Sequence, residues 1–389
     1  LGASGGTLDV ATGDSSLQIS GAMTGSGGLA KTGPGTLILA SANTYTGGTT
    51  LSAGTIYLAG ATANSSGLGS GTVTLAGGTL TMANVQASET AAWNLVVPAG
   101  AIGRLNADGR CSLTGTLTGG GTFDYYTPFV RTDLRGNWSA FAGQINVIGG
   151  ADGGEMRVTN TFGFANAAIR IGASGYVYYN IANSSPALDI GELTGDATSG
   201  LGGGPTATRT VTWRVGGKNS DATFDGAIVN GAGPTAITKL GSGIWTLAGT
   251  STHTGSTTVS AGTLRILGST TGSTLTIQPG AALSGSGTVT GDLSVQGGGI
   301  LEHGGTGATP LAIVGNVTFG TTATVRPPLG VDLGTGTYTV LTYSGTLAGT
   351  PAFSWQPPAG STLVGTVSAS SPGRITVTLT QQPGGAGNL

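Results

Sequence analysis

The stretch GGLAKTGPGTLILASANTYTGGTTLSAGTIYLAG, at residues 27–60, decides the fold, because residues 237–268 nearly repeat it as ITKLGSGIWTLAGTSTHTGSTTVSAGTLRILG. A shift of 208 positions aligns the two without a gap. The aligned pairs are Lys31 and Lys239, Gly33 and Gly241, Gly35 and Gly243, Tyr45 and His253, Gly47 and Gly255, and Gly54 and Gly262. An internal repeat of this kind indicates an architecture built from repeated structural units.

Short strands opened by glycine are the commonest local pattern. GTLIL at 35–39 and GTIYL at 54–58 begin 19 residues apart, and GTVTL at 71–75 follows 17 residues later. Apolar residues alternate in each, so Leu37 and Leu39 point to the same face of their strand. No long segment has a 3.6-residue period, and we expect almost no helix.

A strand–turn–strand unit that recurs every 17 to 19 residues predicts stacked coils whose backbone hydrogen bonds run from one coil to the next. Glycine suits the corners, where φ is often positive, and threonine suits outward strand positions. The prediction is an all-β fold, a parallel β-helix (β-solenoid) forming a single elongated domain. Six side chains should point inward: Leu37, Leu39, Ile56, Leu58, Val73 and Leu75.

Composition limits the classes of function. Of the 389 residues, 76 are glycine, only 8% are charged, and the net charge is −2. This balance gives no argument for a nucleic acid partner. No apolar run reaches the ~18 residues of a membrane span. The single cysteine, Cys111, excludes an intrachain disulfide and is expected to be a buried free thiol.

Four segments are predicted along the chain. Residues 1–85 and 226–380 form regular coils around the two repeats, and residues 381–389 are a glycine-rich tail. Residues 86–225 hold 11 of the 22 aromatic side chains between Phe123 and Tyr179, which marks a different surface. Because the repeat's turn pattern persists there, we interpret this segment as degenerate coils with longer excursions.

One constellation in the middle segment predicts carbohydrate contact, since carboxylates, arginines and aromatic rings together suit a polysaccharide. Its members are Asp124, Tyr125, Tyr126, Arg131, Asp133, Arg135 and Trp138. The alternative is structural, with the rings stacked on neighbouring coils and the charges paired at the base of a loop. Glycoside hydrolysis would require two carboxylates facing each other.

Histidine chemistry is sparse, because the chain has only His253 and His303. His303 follows Glu302, but neighbouring positions on a strand point to opposite faces, so the pair is a weak constellation. A metal site or a catalytic triad needs histidine beside its partners. We therefore predict no metal, no cofactor and no catalytic residues.

The quoted repeat resembles the autotransporter-associated β-strand repeat, also called the passenger-associated transport repeat, closely over 21–60 and fairly over 226–268. The resemblance implies a right-handed parallel β-helix, secreted to or beyond the surface of a Gram-negative bacterium. Such passengers include adhesins, autoaggregation proteins and scaffolds that carry an enzyme. His253 departs from the aromatic of the pattern, which indicates a ring stacked on the surface of a turn that tolerates variation.

Three functions stay open at this point. The first is a structural protein that self-associates head to tail, joining the 1–25 coil to the 365–389 end, because neither end shows a cap. The second is an adhesin that binds surface polysaccharide. The third, a polysaccharide-degrading enzyme, is disfavoured by the few carboxylates.

Overall fold

The computed structural model describes residues 1–85, 88–127, 130–150, 153–204, 206–271, 274–304, 307–369 and 373–382. The chain divides into a first unit, Leu1–Val211 with Gly231–Gly233, and a second unit, Thr212–Asn230 with Pro234–Leu389. The described residues include one α-helix, α1, of six residues at Ala61–Ser66. In that part of the chain no helix is both long and apolar enough to cross a membrane.

Short strands make up the first unit. In chain order they are β1 Gly6–Asp9, β2 Ser16–Ile19, β3 Leu29–Thr32, β4 Thr36–Leu39, β5 Thr49–Leu51, β6 Thr55–Leu58, β7 Val73–Leu75, β8 Thr79–Met82, β9 Thr90–Ala91, β10 Leu95–Val97, β11 Ile102–Asn106, β12 Ser112–Leu113, β13 Leu117–Gly119, β14 Thr122–Thr127, β15 Arg131–Leu134, β16 Gln144–Gly149, β17 Gly154–Val158, β18 Phe164–Ile171, β19 Gly175–Tyr179, β20 Ala187–Gly195 and β21 Gly200–Gly203.

The strands from residue 211 onward are equally short. They are β22 Val211–Val215, β23 Ala222–Phe224, β24 Ala227–Asn230, β25 Thr235–Lys239, β26 Ile244–Leu247, β27 Thr250–Ser251, β28 Thr257–Val259, β29 Thr263–Ile266, β30 Ser269–Thr271, β31 Leu275–Ile277, β32 Ala282–Gly285, β33 Thr288–Thr290, β34 Leu293–Val295, β35 Gly299–Glu302, β36 Leu311–Val314, β37 Val317–Phe319, β38 Thr322–Arg326, β39 Gly336–Tyr343, β40 Leu347–Ala348, β41 Ala352–Trp355, β42 Leu363–Ser368 and β43 Arg374–Gln381.

Each unit is a β-solenoid, because strands from successive coils pair in parallel. In the first unit, β2, β4, β6 and β8 stack in register and continue through β11, β14, β16, β18 and β20. A second face of the first unit stacks β9, β12, β15, β17, β19 and β21. In the second unit, β23, β26, β29, β32, β35, β38 and β41 form the equivalent ladder. The all-β solenoid predicted from the repeat spacing is confirmed.

The interior of the coils is a set of apolar ladders. Leu37 pairs with Ile56 and Leu39 with Leu58 across β4 and β6. These four side chains, with Val73 and Leu75 of β7, are each at most 1% exposed, as the alternation predicted. Each buried side chain of this size contributes about 1.5–3 kcal/mol. Cys111 is also buried, and burial raises the pKa of its thiol.

The last two strands at the C-terminal end leave the parallel stack, and β42 forms the edge of its sheet. Strand β43 runs antiparallel to β39 on one side and to β42 on the other. The reversal fills both hydrogen-bonding edges of β43, so it does not continue the parallel stack. Residues 383–389 of the predicted tail lie outside the described residues, and the segment boundaries at 85, 225 and 380 stay predictions.

Replacing Leu39 with aspartate tests the register. Leu39→Asp should lower the free energy of unfolding by several kcal/mol, because a charge without a partner would enter the apolar ladder. The matched control is Ile38→Asp, at a half-buried position of the same strand. Thermal denaturation compares the two variants with the parent. A melting temperature within one degree of the parent for Leu39→Asp would show that Leu39 does not face the interior.

Candidate functional site

Two buried lysines hold the corners of the repeated coils. Lys31 follows Leu29 on the inward face of β3, and its Nζ donates to the carbonyl oxygens of Thr32 at 2.6 Å, Gly33 at 2.7 Å and Ala53 at 3.3 Å. Ala53 belongs to the corner of the next coil. One ammonium group therefore links two successive corners.

The second repeat has the same arrangement. Nζ of Lys239 donates to the carbonyl oxygens of Leu240 at 2.6 Å, Gly241 at 2.9 Å and Ala261 at 3.2 Å. Burial lowers the pKa of Lys239 to about 8. The negative charge of Asp221 partly opposes this effect and raises the pKa. The ammonium form, which can donate three hydrogen bonds, still prevails at neutral pH. We call each such contact a lysine clip.

The glycines of the repeat fit around these clips. Gly33 and Gly241 have φ of 71° and 70°, a conformation that other residues rarely adopt. Gly54 and Gly262 repeat this one coil later, with φ of 68° and 62°. The remaining four repeat glycines lie where a Cβ would collide with the backbone of the preceding coil: Gly35, Gly47, Gly243 and Gly255.

The residue at the repeat's aromatic position is buried, so its interpretation as a turn-surface stack is wrong. Tyr45 is 0% exposed and its hydroxyl bonds Oγ1 of Thr49. His253 is 1% exposed, and its Nε2 lies 2.9 Å from Oγ1 of Thr257. The imidazole replaces the phenol because both reach a threonine four residues ahead. Nδ1 of His253 has no hydrogen-bond partner, and burial lowers the pKa of the ring to about 4.

The structure separates the seven predicted carbohydrate contacts into three groups, of which the first lies in the interior. Tyr125 is 0% exposed and Trp138 is 2% exposed. Their ring centroids lie 5.9 Å apart in an edge-to-face arrangement, and Phe123 is 5.5 Å from Trp138. The prediction of surface contact is therefore wrong for Tyr125 and Trp138. Strand alternation turns Tyr125 into the apolar core, and Trp138, which lies outside the strands, packs against Tyr125 and Phe123 there.

The second group, Asp124 and Tyr126, lies on the outward side of β14. Asp124 pairs with Nε of Arg104 on the preceding coil at 3.0 Å. Its other oxygen accepts from Nδ2 of Asn146 on the next coil at 2.7 Å. These contacts occupy the Asp124 carboxylate within the ladder.

The third group, Arg131, Asp133 and Arg135, joins residues of two further coils. On β15, β17 and β19 the register places Arg131 beside Glu155 and Asp133 beside Arg157. Glu155 and Arg157 are followed by Tyr176 and Tyr178. We call this surface the tyrosine face. It consists of Arg131, Asp133, Arg135, Glu155, Arg157, Tyr176 and Tyr178.

Glycines of the following coil seat the two tyrosine rings. Tyr176 pairs with Gly200 and Tyr178 with Gly202 on β21. A Cβ at Gly200 would collide with the ring of Tyr176, so that ring lies directly over the glycine. Tyr176 is nevertheless 37% exposed, which leaves part of the ring open to solvent.

Charges on the tyrosine face are paired but carry a net positive charge. Asp133 lies 3.4 Å from Nε of Arg131 and 3.8 Å from Arg135. Arg157 pairs with Glu155 and stands 5.8 Å from the ring centroid of Tyr178, within cation–π range. Partial burial acts to lower the pKa of Arg157, but the hydrogen bond and charge of Glu155 raise it overall. Three arginines against two carboxylates leave one positive charge in excess.

Sequence reasoning missed Glu155, Arg157, Tyr176 and Tyr178. The signal was present as outward alternation in GEMRV at 154–158 and GYVYY at 175–179. Coil length between them is irregular, so the sequence did not fix which positions stack. Within the part of the chain that the structure describes, no group of three His, Cys, Asp or Glu side chains could hold a metal ion.

Two segments of the chain, 29–58 and 237–266, match the passenger-associated transport repeat. These are the two segments that contain the lysine clips. A stretch of 290 residues, 68% of this chain, is 30% identical to the adhesin BmaC autotransporter of Brucella suis biovar 1 (strain 1330). That stretch covers 7% of the relative's length.

Removing a lysine clip should loosen the coils. Lys31→Met keeps the buried stem but leaves the carbonyl oxygens of Gly33 and Ala53 without their donor, and we expect a loss of about 2 kcal/mol in unfolding free energy. Lys218→Met, at an exposed position, is the control. Urea denaturation measures both. Equal midpoints for the two variants would show that the clip adds no stability.

Substitutions at His253 and Tyr45 should change how the free energy of unfolding depends on acidic pH. The unfolded chain protonates His253 below about pH 6.5, whereas the folded chain does so only near pH 4. Stability is therefore full above pH 6.5 and falls between pH 6.5 and 4, on the order of 3 kcal/mol in total. His253→Tyr should remove this loss.

The matched variant Tyr45→His should add a similar loss in the first unit. Denaturation midpoints between pH 7 and 4 compare both variants with the parent, and His303 is common to all three chains. An unchanged pH dependence in His253→Tyr would contradict the role given to the buried imidazole.

Proposed function

We propose that this chain, a β-solenoid that carries two passenger-associated transport repeats, is an adhesin-type protein of the Gram-negative cell surface. Its specific role is to contact polysaccharide through the tyrosine face. The observation that carries the proposal is the register of three coils, which aligns two tyrosines with arginine and carboxylate side chains on one outward surface.

The chemistry of the tyrosine face suits a sugar. A tyrosine ring offers an apolar face and a polar hydroxyl, which match the C–H face and the hydroxyl groups of a sugar ring. A sugar hydroxyl can accept a hydrogen bond from an arginine and donate one to a carboxylate, and the tyrosine face offers both groups. Burial raises the pKa of Tyr178, with Glu155 adding to the effect, and its phenol stays protonated at neutral pH.

A contact surface built this way is stiff. Strands β15, β17 and β19 pair in parallel along their length, and the ring of Tyr176 lies over Gly200 of β21. Because side chains on paired strands lose little further freedom on binding, a rigid face favours affinity.

A catalytic role is not part of the proposal. Asp133 and Glu155 share the tyrosine face, but each is already paired with arginine, and Asp124 lies on a different face, on β14. Hydrolysis of a glycosidic bond requires two carboxylates on either side of that bond. We therefore propose binding without turnover.

Head-to-tail self-association remains a second proposal in a revised form. The predicted contact joins the 1–25 coil of one chain to the 365–389 end of another, and at that end β42 and β43 pair antiparallel. A partner would have to pair with the outer edge of β42 instead. Light scattering of the full chain and of a variant lacking 381–389 tests it, since a monomer at high concentration would exclude assembly.

Truncating one tyrosine should show whether polysaccharide binds at the tyrosine face or at the other predicted contacts on β14. We expect Tyr176→Ala to reduce retention on immobilised surface polysaccharide at least tenfold, because its ring is the most exposed aromatic of the face. The control Tyr126→Ala removes an outward ring on β14, outside the face, and should retain binding. Circular dichroism checks that both fold. Equal retention by the two variants would remove the tyrosine face from the contact.

A further inference from the structure

The second unit has a cleft of about 430 Å³ beside the ladder of β29, β32 and β35. Its lining includes Arg265, Ser284 and His303 from the strand side, together with Pro328, Leu329 and Val331. This volume is within the range of sites for small molecules, roughly 300–1,000 Å³. The cleft is separate from the tyrosine face, which belongs to the first unit.

Two residues of the cleft lining, Arg265 and Ser284, begin a polar ladder that continues through Glu302 and Arg326 behind the cleft. Arg265 pairs in register with Ser284, and Glu302 pairs with Arg326. Ser284 is 2% exposed and Glu302 is 4% exposed. Burying a carboxylate requires a charged partner, and Arg326 supplies it with two nitrogens at 3.1 Å from Oε2 of Glu302.

One positive charge of this ladder is left over. Two arginines face one carboxylate. Arg326 contacts it directly, and Arg265 acts on it electrostatically from a longer distance, so the ladder keeps a net charge of +1. Arg265 has no carboxylate within 4.0 Å among the described residues. Its Nε lies 3.5 Å from Oγ of Ser284, which orients the guanidinium at the cleft wall. A guanidinium presents paired donors that fit a carboxylate.

The rest of the lining is apolar with exposed hydroxyl groups. Leu329 is 80% exposed and Leu267 is 48% exposed, so both offer apolar surface at the cleft. The exposed Ser286 also lines the cleft. Apolar walls with a hydroxyl and one spare cation match a ligand that has C–H faces, hydroxyls and a single negative charge.

We propose that this cleft binds a carboxylate-bearing sugar, such as one uronic acid residue of an acidic polysaccharide. Arg265 pairs with the carboxylate, Ser286 bonds a ring hydroxyl, and Leu267 and Leu329 cover the C–H face of the ring. Glu302 and Arg326 are positioning residues that keep the ladder in register. The ligand is thus recognised by its charge as well as its ring.

Calorimetric titration of the full chain with glucuronate, glucose and acetate tests the cleft. We expect saturable glucuronate binding, with glucose and acetate each at least tenfold weaker. Glucose equal to glucuronate would exclude charge recognition. Acetate equal to glucuronate would reduce the site to one for a simple carboxylate and overturn the proposal, as would the absence of glucuronate binding.

Two variants locate the binding in the cleft. Arg265→Gln and Leu329→Ser should each weaken glucuronate binding, the first at least tenfold and the second severalfold. Arg374→Gln, at an exposed arginine of β43, is the matched control and should bind as the parent does. Leu329 is so exposed that its substitution spares the fold. Parental affinity in Arg265→Gln or in Leu329→Ser would place binding elsewhere, while leaving the tyrosine face untouched.

Discussion

The lysine clip is the interaction on which the repeated coils depend. A corner of the coil presents carbonyl oxygens that the ammonium of a buried lysine can reach, and a buried carbonyl left without a donor is costly. The ammonium of Lys31 reaches three of them from inside and so joins its own corner to that of the next coil. Lys239 does the same in the second unit. The glycines follow from this geometry, because a corner this tight leaves no room for a side chain.

With the corners and apolar ladders fixed, the outward positions are free to differ. A column on β11, β14, β16 and β18 carries Arg104, Asp124, Asn146 and Arg170 in register. The tyrosine face and the cleft beside Arg265 arise in the same way. In each, successive coils place their outward side chains next to one another, at the spacing between paired strands. In such a fold, the residues of a site come from equivalent positions on successive coils and do not form a short sequence motif.

The sequence predicted the features that repeat and failed where spacing varies. The inward set around Leu37 and Leu39 followed from alternation, and alternation within FDYYT, residues 123–127 of β14, also assigns Tyr125 to the interior. The aromatic-rich segment was instead judged by composition, which gives no direction to a side chain. Trp138 lies in a turn, where period-two reasoning does not apply, and only tertiary packing places it against Phe123. Tyr176 and Tyr178 required the coil register, which longer excursions hide.

The most direct measurement of the central claim uses the small number of lysines, since Lys31, Lys218 and Lys239 are the only three in the chain. Labelling lysine with nitrogen-15 at Nζ gives three ammonium signals in a heteronuclear spectrum. We expect the ammonium groups of Lys31 and Lys239 to exchange their protons slowly and to correlate with backbone carbonyls of the corners. The ammonium group of exposed Lys218 should exchange its protons fast. Fast exchange at all three ammonium groups would contradict it, because a clip that holds two coils together cannot release its protons freely to water.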